Sequence, residues 1–419
     1  MVAWYSLAVL TASQTLSFVD RKLPFILADS IKQDLNLSDT QLGLVTGVMF
    51  AIVLSGIGLP VGMLIDRWSR KHLLAAGVVI WSATTAMGGL AQNFYQLAAS
   101  RMGVAVGESV CTPGSHSMIA DLFTHRYRAR AISIYFMGAQ LGAILGLGLG
   151  GLINELADWR LAMLLLGAPG IILTLVILFT LPEPKRRVTE NSAPGAPPPS
   201  ILTAVLIIVR QPTMVHLIAA SALASAASGG LQAFMPSHLI RTFHMGTAEI
   251  GITYGLALGL AGISGLFVGG MVGDWLRSRA RWQVILFIGA GEALSLPFIV
   301  LALVSDSYPS FLALLFVAQV LGSFSAGPTM ATLQSLMTPN THGKLSAFYL
   351  FTVVGIGLVL GPLITGMVSD SMSSLGPQAS LQIALLILMI PKTWAVLHYL
   401  LSALSLRRRD RLMGSTEAG

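Results

Sequence analysis

Gly62-Met63-Leu64-Ile65-Asp66-Arg67-Trp68-Ser69-Arg70-Lys71 closes one long apolar run, and 208 residues later Gly270-Met271-Val272-Gly273-Asp274-Trp275-Leu276-Arg277-Ser278-Arg279 closes another. A glycine, an acid and then basic residues, twice at the end of a hydrophobic segment and half a chain apart, mark an internal duplication. A second echo supports it. Gly142 and Gly148 in one apolar run are matched by Gly355 and Gly361 in another, at an offset of 213.

The composition says where such a chain resides. Of its 419 residues 54% are hydrophobic and only 10% charged, whereas soluble domains carry about a quarter charged residues. This excludes an ordinary cytosolic enzyme, a disordered chain and a nucleic-acid binder. The single cysteine, Cys111, excludes an internal disulfide framework and a cysteine-based metal site. The net charge of +7 reads as arginines on cytoplasmic loops of a membrane protein.

A spanning helix needs roughly 20 mostly apolar residues. Twelve stretches qualify: 2–28, 40–65, 73–92, 95–120, 131–153, 160–181, 212–236, 248–273, 282–304, 309–335, 345–369 and 379–405. They are too long and too uniformly apolar for barrel strands of about 10 alternating residues. The even-numbered loops and the tail hold most of the Lys and Arg, among them Arg67, Arg70, Lys71, Arg126, Arg128, Arg130, Lys185, Arg186, Arg187, Arg277, Arg279 and Arg407–Arg409. The odd-numbered loops hold little beyond Lys32, Arg160 and Arg241. The positive-inside rule then puts both termini in the cytoplasm. The loop 182–211, with Pro182, Pro184, Pro194 and Pro197–Pro199, cannot bury a core and reads as a linker. The expected organisation is therefore all-α: a six-helix bundle over 1–181, a linker over 182–211, a second six-helix bundle over 212–406 and a tail over 407–419.

The duplicated motif has a mechanical reading. Gly62 would let a neighbouring helix approach, Asp66 would face a helix N-terminus, and Arg70 would pair with Asp121 at the end of the fourth span. Together with Arg67 and with Asp274 in the repeat, these residues form an expected conformational latch rather than a ligand site. The glycines at 138, 142, 146, 148, 150 and 151 give the fifth span a smooth face, expected to slide against the other half.

Ionisable groups inside spans are rare and usually functional. Here they are Asp20, Arg21, Lys22, Arg101, Glu108, Glu292 and Lys392. At 1.5 Å per residue Asp20 and Arg101 lie about 12 and 9 Å below the same surface, and Glu108 about 10 Å deeper than Arg101 on the same helix face. Asp20 is expected to pair with Arg101, with Glu108 beneath it as a proton carrier near the midplane. Glu292 and Lys392 read as structural, Lys392 snorkelling toward an interface. His116, Phe234, Phe324 and Tyr349 are candidate cavity residues. With charges concentrated in the first half, the cavity would have one charged and one apolar wall, which suits an amphiphile better than a sugar.

Several of these stretches resemble a known family. Asp20-Arg21, Leu37-Ser38-Asp39-Thr40-Gln41-Leu42-Gly43, Arg101-Met102-Gly103-Val104-Ala105-Val106-Gly107-Glu108 and Ile119-Ala120-Asp121-Leu122-Phe123 resemble the Spinster branch of the major facilitator superfamily over roughly residues 15–155. The remainder resembles only the superfamily. The resemblance implies a proton-coupled carrier of lysophospholipids by alternating access. Asp20 and Glu108 would take the proton, and Arg21 and Arg101 would hold a phosphate headgroup. It also implies a monomer in a bacterial inner membrane whose partners are the lysolipid, protons and membrane lipids. No cofactor, metal or nucleic acid is expected. The rivals are a proton-driven exporter of drugs or organic anions and, remotely, an intramembrane lipid hydrolase. A hydrolase needs a nucleophile beside a base. Its one candidate pair, Cys111 and His116, is five residues apart, about 140° around a helix. No phosphate-binding Gly-x-x-x-x-Gly-Lys-Ser/Thr motif is present.

Overall fold

The computed structural model describes residues 1–186, 208–337 and 342–416, and these are helical with no strand among them. Most of the expected linker, 187–207, lies outside the described residues, as does the side chain of Asp66. Ten helices are long and apolar enough to cross a membrane. The third segment, Arg70–Gly88, is diluted by Arg70, Lys71, His72 and three hydroxyl residues. The fourth is split into Phe94–Glu108 and Cys111–Leu122. Counting these two restores twelve, and the fold is all-α.

Prolines explain the interruptions. Proline lacks the N–H that would bond the carbonyl four residues earlier, and its ring crowds that carbonyl. Pro113 thus breaks the fourth span at Ser109–Val110, Pro169 divides the sixth into Trp159–Gly167 and Pro169–Thr180, and Pro391 divides the twelfth into Pro377–Ile387 and Met389–Thr416. The second span is continuous but contains a π-helical turn at Leu44–Val48 between Asp39–Gly43 and Met49–Arg67. Such a turn inserts one residue and re-aims every side chain after it.

Packing groups the chain into two compact units. The first comprises Met1–Ser192, Gln232–Gly259 and Pro362–Leu381. The second comprises Ala193–Leu231, Leu260–Gly361 and Gln382–Gly419. The first unit thus gathers one end of the seventh (Pro212–Phe243), eighth (Thr247–Arg277) and eleventh (His342–Ser371) helices onto the first half of the sequence.

Within the first unit the fifth helix, His125–Leu156, uses its glycines on two faces. Gly138, Gly142, Gly146 and Gly150 recur every four residues and lie against the first helix, Val2–Ile26. A Cβ at Gly138 would stand 2.7 Å from the Thr11 carbonyl oxygen, and one at Gly146 2.8 Å from that of Val19. This stripe locks two helices of the same half together, which corrects the expectation of a sliding face. Gly148 and Gly151 do face the eighth helix, at Ile252 and Thr247, where Gly251, Gly255 and Gly259 lie in turn against Leu147 and Ile144.

In the second unit a core of Met214, Leu217, Ile288, Leu333, Tyr349 and Tyr399 accompanies a buried ion pair. The Lys392 ammonium donates to the Glu292 carboxylate across the ninth (Arg281–Leu303) and twelfth helices. Lys392 therefore does not snorkel. Its charge is satisfied inside the protein, where reaching water would leave Glu292 buried and alone.

Candidate functional site

Asp20, Arg21 and Lys22 follow one another on a helix, so they leave it about 100° apart. Asp20 is buried against the fourth helix. Lys22 is buried and donates to the Gln232 side chain on the seventh. Arg21, the one partly exposed member, forms an ion pair with Glu108, whose side chain is fully buried. Arg101 donates from Nη1 to the backbone carbonyl of Asp20 at 3.3 Å.

The expected pairing is therefore corrected. Arg101 bonds the main chain of residue 20 rather than its carboxylate, and Glu108 is held by Arg21 rather than flanked by Arg101. Side-chain direction explains both. Helical side chains lean toward their own N-terminus. The first and fourth helices run oppositely, so Arg21 leans down to the level of Glu108 while Arg101 leans up and away from it. The two acids are left as neighbours that feel each other's charge. Asp20 Oδ1, Glu108 Oε1 and Arg101 Nε are buried without a hydrogen-bond partner.

Phe50 is a member of this site that the sequence did not reveal. Its buried ring lies 5.3 Å from the Arg21 guanidinium and 5.4 Å from that of Arg101. Phe18 adds a second ring, 4.9 Å from Arg21. Aromatic faces attract cations, so Phe50 holds the two guanidinium groups on one surface. It lies just past the π-helical turn, and no linear pattern signals that change of direction.

The other expected cavity residues are packed. Phe234 and Tyr349 are buried in helix cores. Phe324 stacks on Phe287 at 5.0 Å. His116 makes edge contacts with Tyr135 at 5.4 Å and Phe136 at 5.3 Å, and its Nε2 is unpartnered.

At the basic end of the first unit, buried Arg70 pairs with Asp121 and with Glu183, the latter at 2.8 Å, and donates to the Pro184 carbonyl at 2.6 Å. Glu183 also accepts from the Ser69 hydroxyl and the Lys71 amide, and Arg186 donates to the carbonyls of Ile65 and Trp68. The start of the linker is thus part of this knot. A Cβ added at Gly62 would meet no described atom within 4 Å, so this glycine provides no close approach here. Arg67 is exposed, and so is Asp274 in the second unit, which makes no salt bridge among the described residues. Burial acts to raise the Glu183 carboxyl, but the Lys71 amide, Arg70 and Ser69 outweigh it and hold it below the usual range. A carboxylate lowered on folding stabilises the fold above its unfolded value of about 4.3, and that contribution is lost as the pH falls through the folded value. Glu183→Gln is expected to lower the thermal midpoint near neutrality, with the difference from wild type narrowing as the pH is lowered below about 4, as read by unfolding of the purified protein. A difference independent of pH would contradict this.

The opposite end of the same unit holds a larger cluster that sequence reading missed. Arg241 on the seventh helix grips Asp29 at 2.6 Å and Asp39 at 2.9 Å. Lys32 and the Ser369 hydroxyl also bind Asp39. Asp370 accepts the amides of Asp39 at 2.9 Å and Thr40 at 2.8 Å, at the positive start of the second span. Ser38 and Gln41 close a capping box beside them. Arg160 pairs with Asp34, which also accepts from the Trp159 indole. Every cation of the odd-numbered loops named above is therefore neutralised by a carboxylate.

Comparison with known proteins adds an independent line. The Major Facilitator Superfamily model matches residues 10–362. An MFS-type efflux pump of Mycolicibacterium smegmatis is 34% identical over 406 residues, spanning 96% of this chain and 93% of the pump. A sphingosine-1-phosphate transporter of Danio rerio is 24% identical over 384 residues, spanning 87% of this chain and 75% of that one. Among solved structures, a bacterial homologue of the human lysosomal transporter Spinster, inward-facing and unoccupied, superposes with a TM-score of 0.86 at 26% identity, covering 97% of this chain and 98% of that one.

Proposed function

Because the chain belongs to the major facilitator superfamily, as a multi-pass membrane transporter related to Spinster proteins, we propose that it carries lysophospholipids by alternating access coupled to protons. The observation that carries this reading is the set of buried Asp20, Arg101 and Glu108 with partly exposed Arg21. It offers two guanidinium groups on the face of Phe50 to a phosphate headgroup, and two neighbouring acids with unpartnered oxygens to a proton. Arg21 is the pivot, because it is partly exposed and a phosphate that engages it competes with Glu108, which then takes a proton in place of its cation. The likeness to a sphingosine-1-phosphate transporter supports a single-chain phosphate amphiphile.

The organisation that goes with this reading is two six-helix bundles, 1–181 and 212–406, joined by 182–211 and followed by a cytoplasmic tail over 407–419, acting as a monomer in a bacterial inner membrane. Both termini face the cytoplasm. The scarcity of Lys and Arg in the odd-numbered loops, against their abundance in the even-numbered ones, supports that orientation. The basic knot around Arg70 is then a cytoplasmic latch, and the Arg241 cluster closes the external end. The latch residues Gly62, Asp66 and Asp274 would act in a state where the motif closes.

A second reading, a proton-driven exporter of drug-like amphiphiles, is favoured by the similarity to the efflux pump. Reconstituted protein under an imposed pH gradient separates them. Uptake or release of lysophosphatidylethanolamine that a cationic dye does not inhibit is the expected result. Transport of the dye with no lysolipid movement would overturn the lysolipid reading in favour of the second.

A further inference from the structure

Glu108 is fully buried and closed off by Arg21, yet a proton carrier must load and unload. The charged and titratable groups near it are Asp20 and Arg21 from the first helix, Arg101 from its own and Cys111 from the helix that follows; Tyr135 of the fifth helix lies one step further, against Cys111. Past the break at Ser109–Val110, the helix Cys111–Leu122 carries Cys111 and Ser115 four residues apart, on one face. The first helix sets Ser17, Gln14 and Ser13 against them, and the fifth sets Tyr135. All six are buried.

These groups touch. Cys111 Sγ lies 3.5 Å from Ser13 Oγ, 3.6 Å from Gln14 Oε1 and 3.7 Å from Tyr135 Oη. The Tyr135 hydroxyl donates to Gln14 Oε1, with Ser115 beside it. His116, half-buried with Nε2 unpartnered, packs against the Tyr135 ring. At the other extremity Ser17 Oγ and Glu108 Oε1 are likewise unpartnered. Polar side chains between membrane helices can serve packing, but here the seam runs toward an unpartnered acid, Glu108 Oε1, and past an unpartnered His116 Nε2.

We propose that this seam is a proton file joining Glu108 to the basic end of the first unit, with Cys111 and Tyr135 as carriers, Gln14 as the residue that positions Tyr135, and His116 as its exit. Each thiol or hydroxyl accepts a proton on a lone pair as it releases its own, so no charge stays on Cys111 or Tyr135 and no oxidant or reductant is consumed. Ser17 Oγ and Glu108 Oε1, both buried and unpartnered, are the groups through which the file would meet the acid. The file gives Glu108 a route to one side that does not cross the headgroup site.

The inference rests on the proton-coupling reading, and the experiment separates the two. Full-length protein is reconstituted with a pH-sensitive dye inside the vesicles, and lysophosphatidylethanolamine-driven proton movement is timed for wild type, Tyr135→Phe, Cys111→Ala and Cys111→Ser. Tyr135→Phe keeps the ring contacts to His116 and Phe136 and removes only the hydroxyl. The expected result is proton movement slowed roughly a hundredfold, the low end for removing a positioned proton-transfer group, with lysolipid binding and lysolipid exchange at equal pH unchanged. Cys111→Ala slows it as well, and Cys111→Ser restores it. Wild-type rates in Tyr135→Phe and Cys111→Ala overturn the file while coupling stands. Wild-type protein that moves no protons overturns the coupling reading and the file with it.

Discussion

Arg241→Gln is expected to open the end of the first unit that carries Asp29 and Asp39. A cysteine placed at Leu37, buried beside the cluster, should react slowly with a membrane-impermeant maleimide in the parent and far faster in the variant. The parent background is low because the native Cys111 is buried. The size of the effect follows from the geometry. Arg241 holds Asp29 and Asp39 through several hydrogen bonds and draws together residues of both sequence halves, with Ser369 and Asp370 from the eleventh helix on the same aspartate and its neighbouring amides. Removing one partner of a buried ion pair costs about 3–5 kcal/mol because the other is left buried and charged; here Asp29 loses Arg241 and Asp39 is left with Lys32 and Ser369. If that cost is met by separation, the open population rises roughly a hundredfold or more. Arg241→Lys should fall between, since an ammonium keeps the charge and loses the fork that serves two carboxylates at once. Labelling of Arg241→Gln at the parent rate would remove the cluster's role in closing this end.

Glu108→Gln and Asp20→Asn are expected to abolish accumulation driven by a pH gradient while leaving lysolipid exchange at equal pH. Glutamine keeps the shape of Glu108 and a carbonyl oxygen for Arg21, but it cannot load and release a proton. Asn at position 20 preserves the backbone carbonyl that Arg101 uses, so the two changes isolate titration from architecture. Gradient-driven accumulation should fall by roughly a hundredfold or more in each, the range for losing a group that transfers protons. Accumulation at the wild-type level in both variants would mean that neither acid carries the coupling proton.

How much of this is legible in the sequence differs by scale. Apolar run length, proline positions and the asymmetry of arginines are properties of contiguous sequence, and they lead to twelve helices and an even-loop basic face. The pairing of Arg70 with Asp121 is legible too, because both belong to short turns at helix ends. The charged set on the first and fourth helices is legible as a set of residues but not as contacts. Axial depth puts Asp20, Arg101 and Glu108 within reach, but depth ignores the lean of side chains toward the helix N-terminus, which sends Arg21 rather than Arg101 to Glu108. The Arg241 cluster joins positions 29, 39, 241, 369 and 370 and needs the fold to assemble. Lys392 with Glu292 escapes sequence reading for the same reason: each alone resembles a stray charge, and only their 100-residue partnership shows why both are tolerated in lipid.

The interruption at Ser109–Val110 gives Glu108 an uncommon mechanical setting. An acid in mid-helix is bolted to a rod and changes its surroundings only when the whole rod moves. Glu108 is instead the last residue of one rod, with a proline-weakened joint immediately after it. A small twist at that joint moves Cys111 and Ser115 toward or away from the carboxyl while Glu108, Arg101 and Phe50 stay still. On the proposed reading, the proton and the cargo then need not share a single clock, and leakage of one without the other becomes a matter of how stiff two peptide units are.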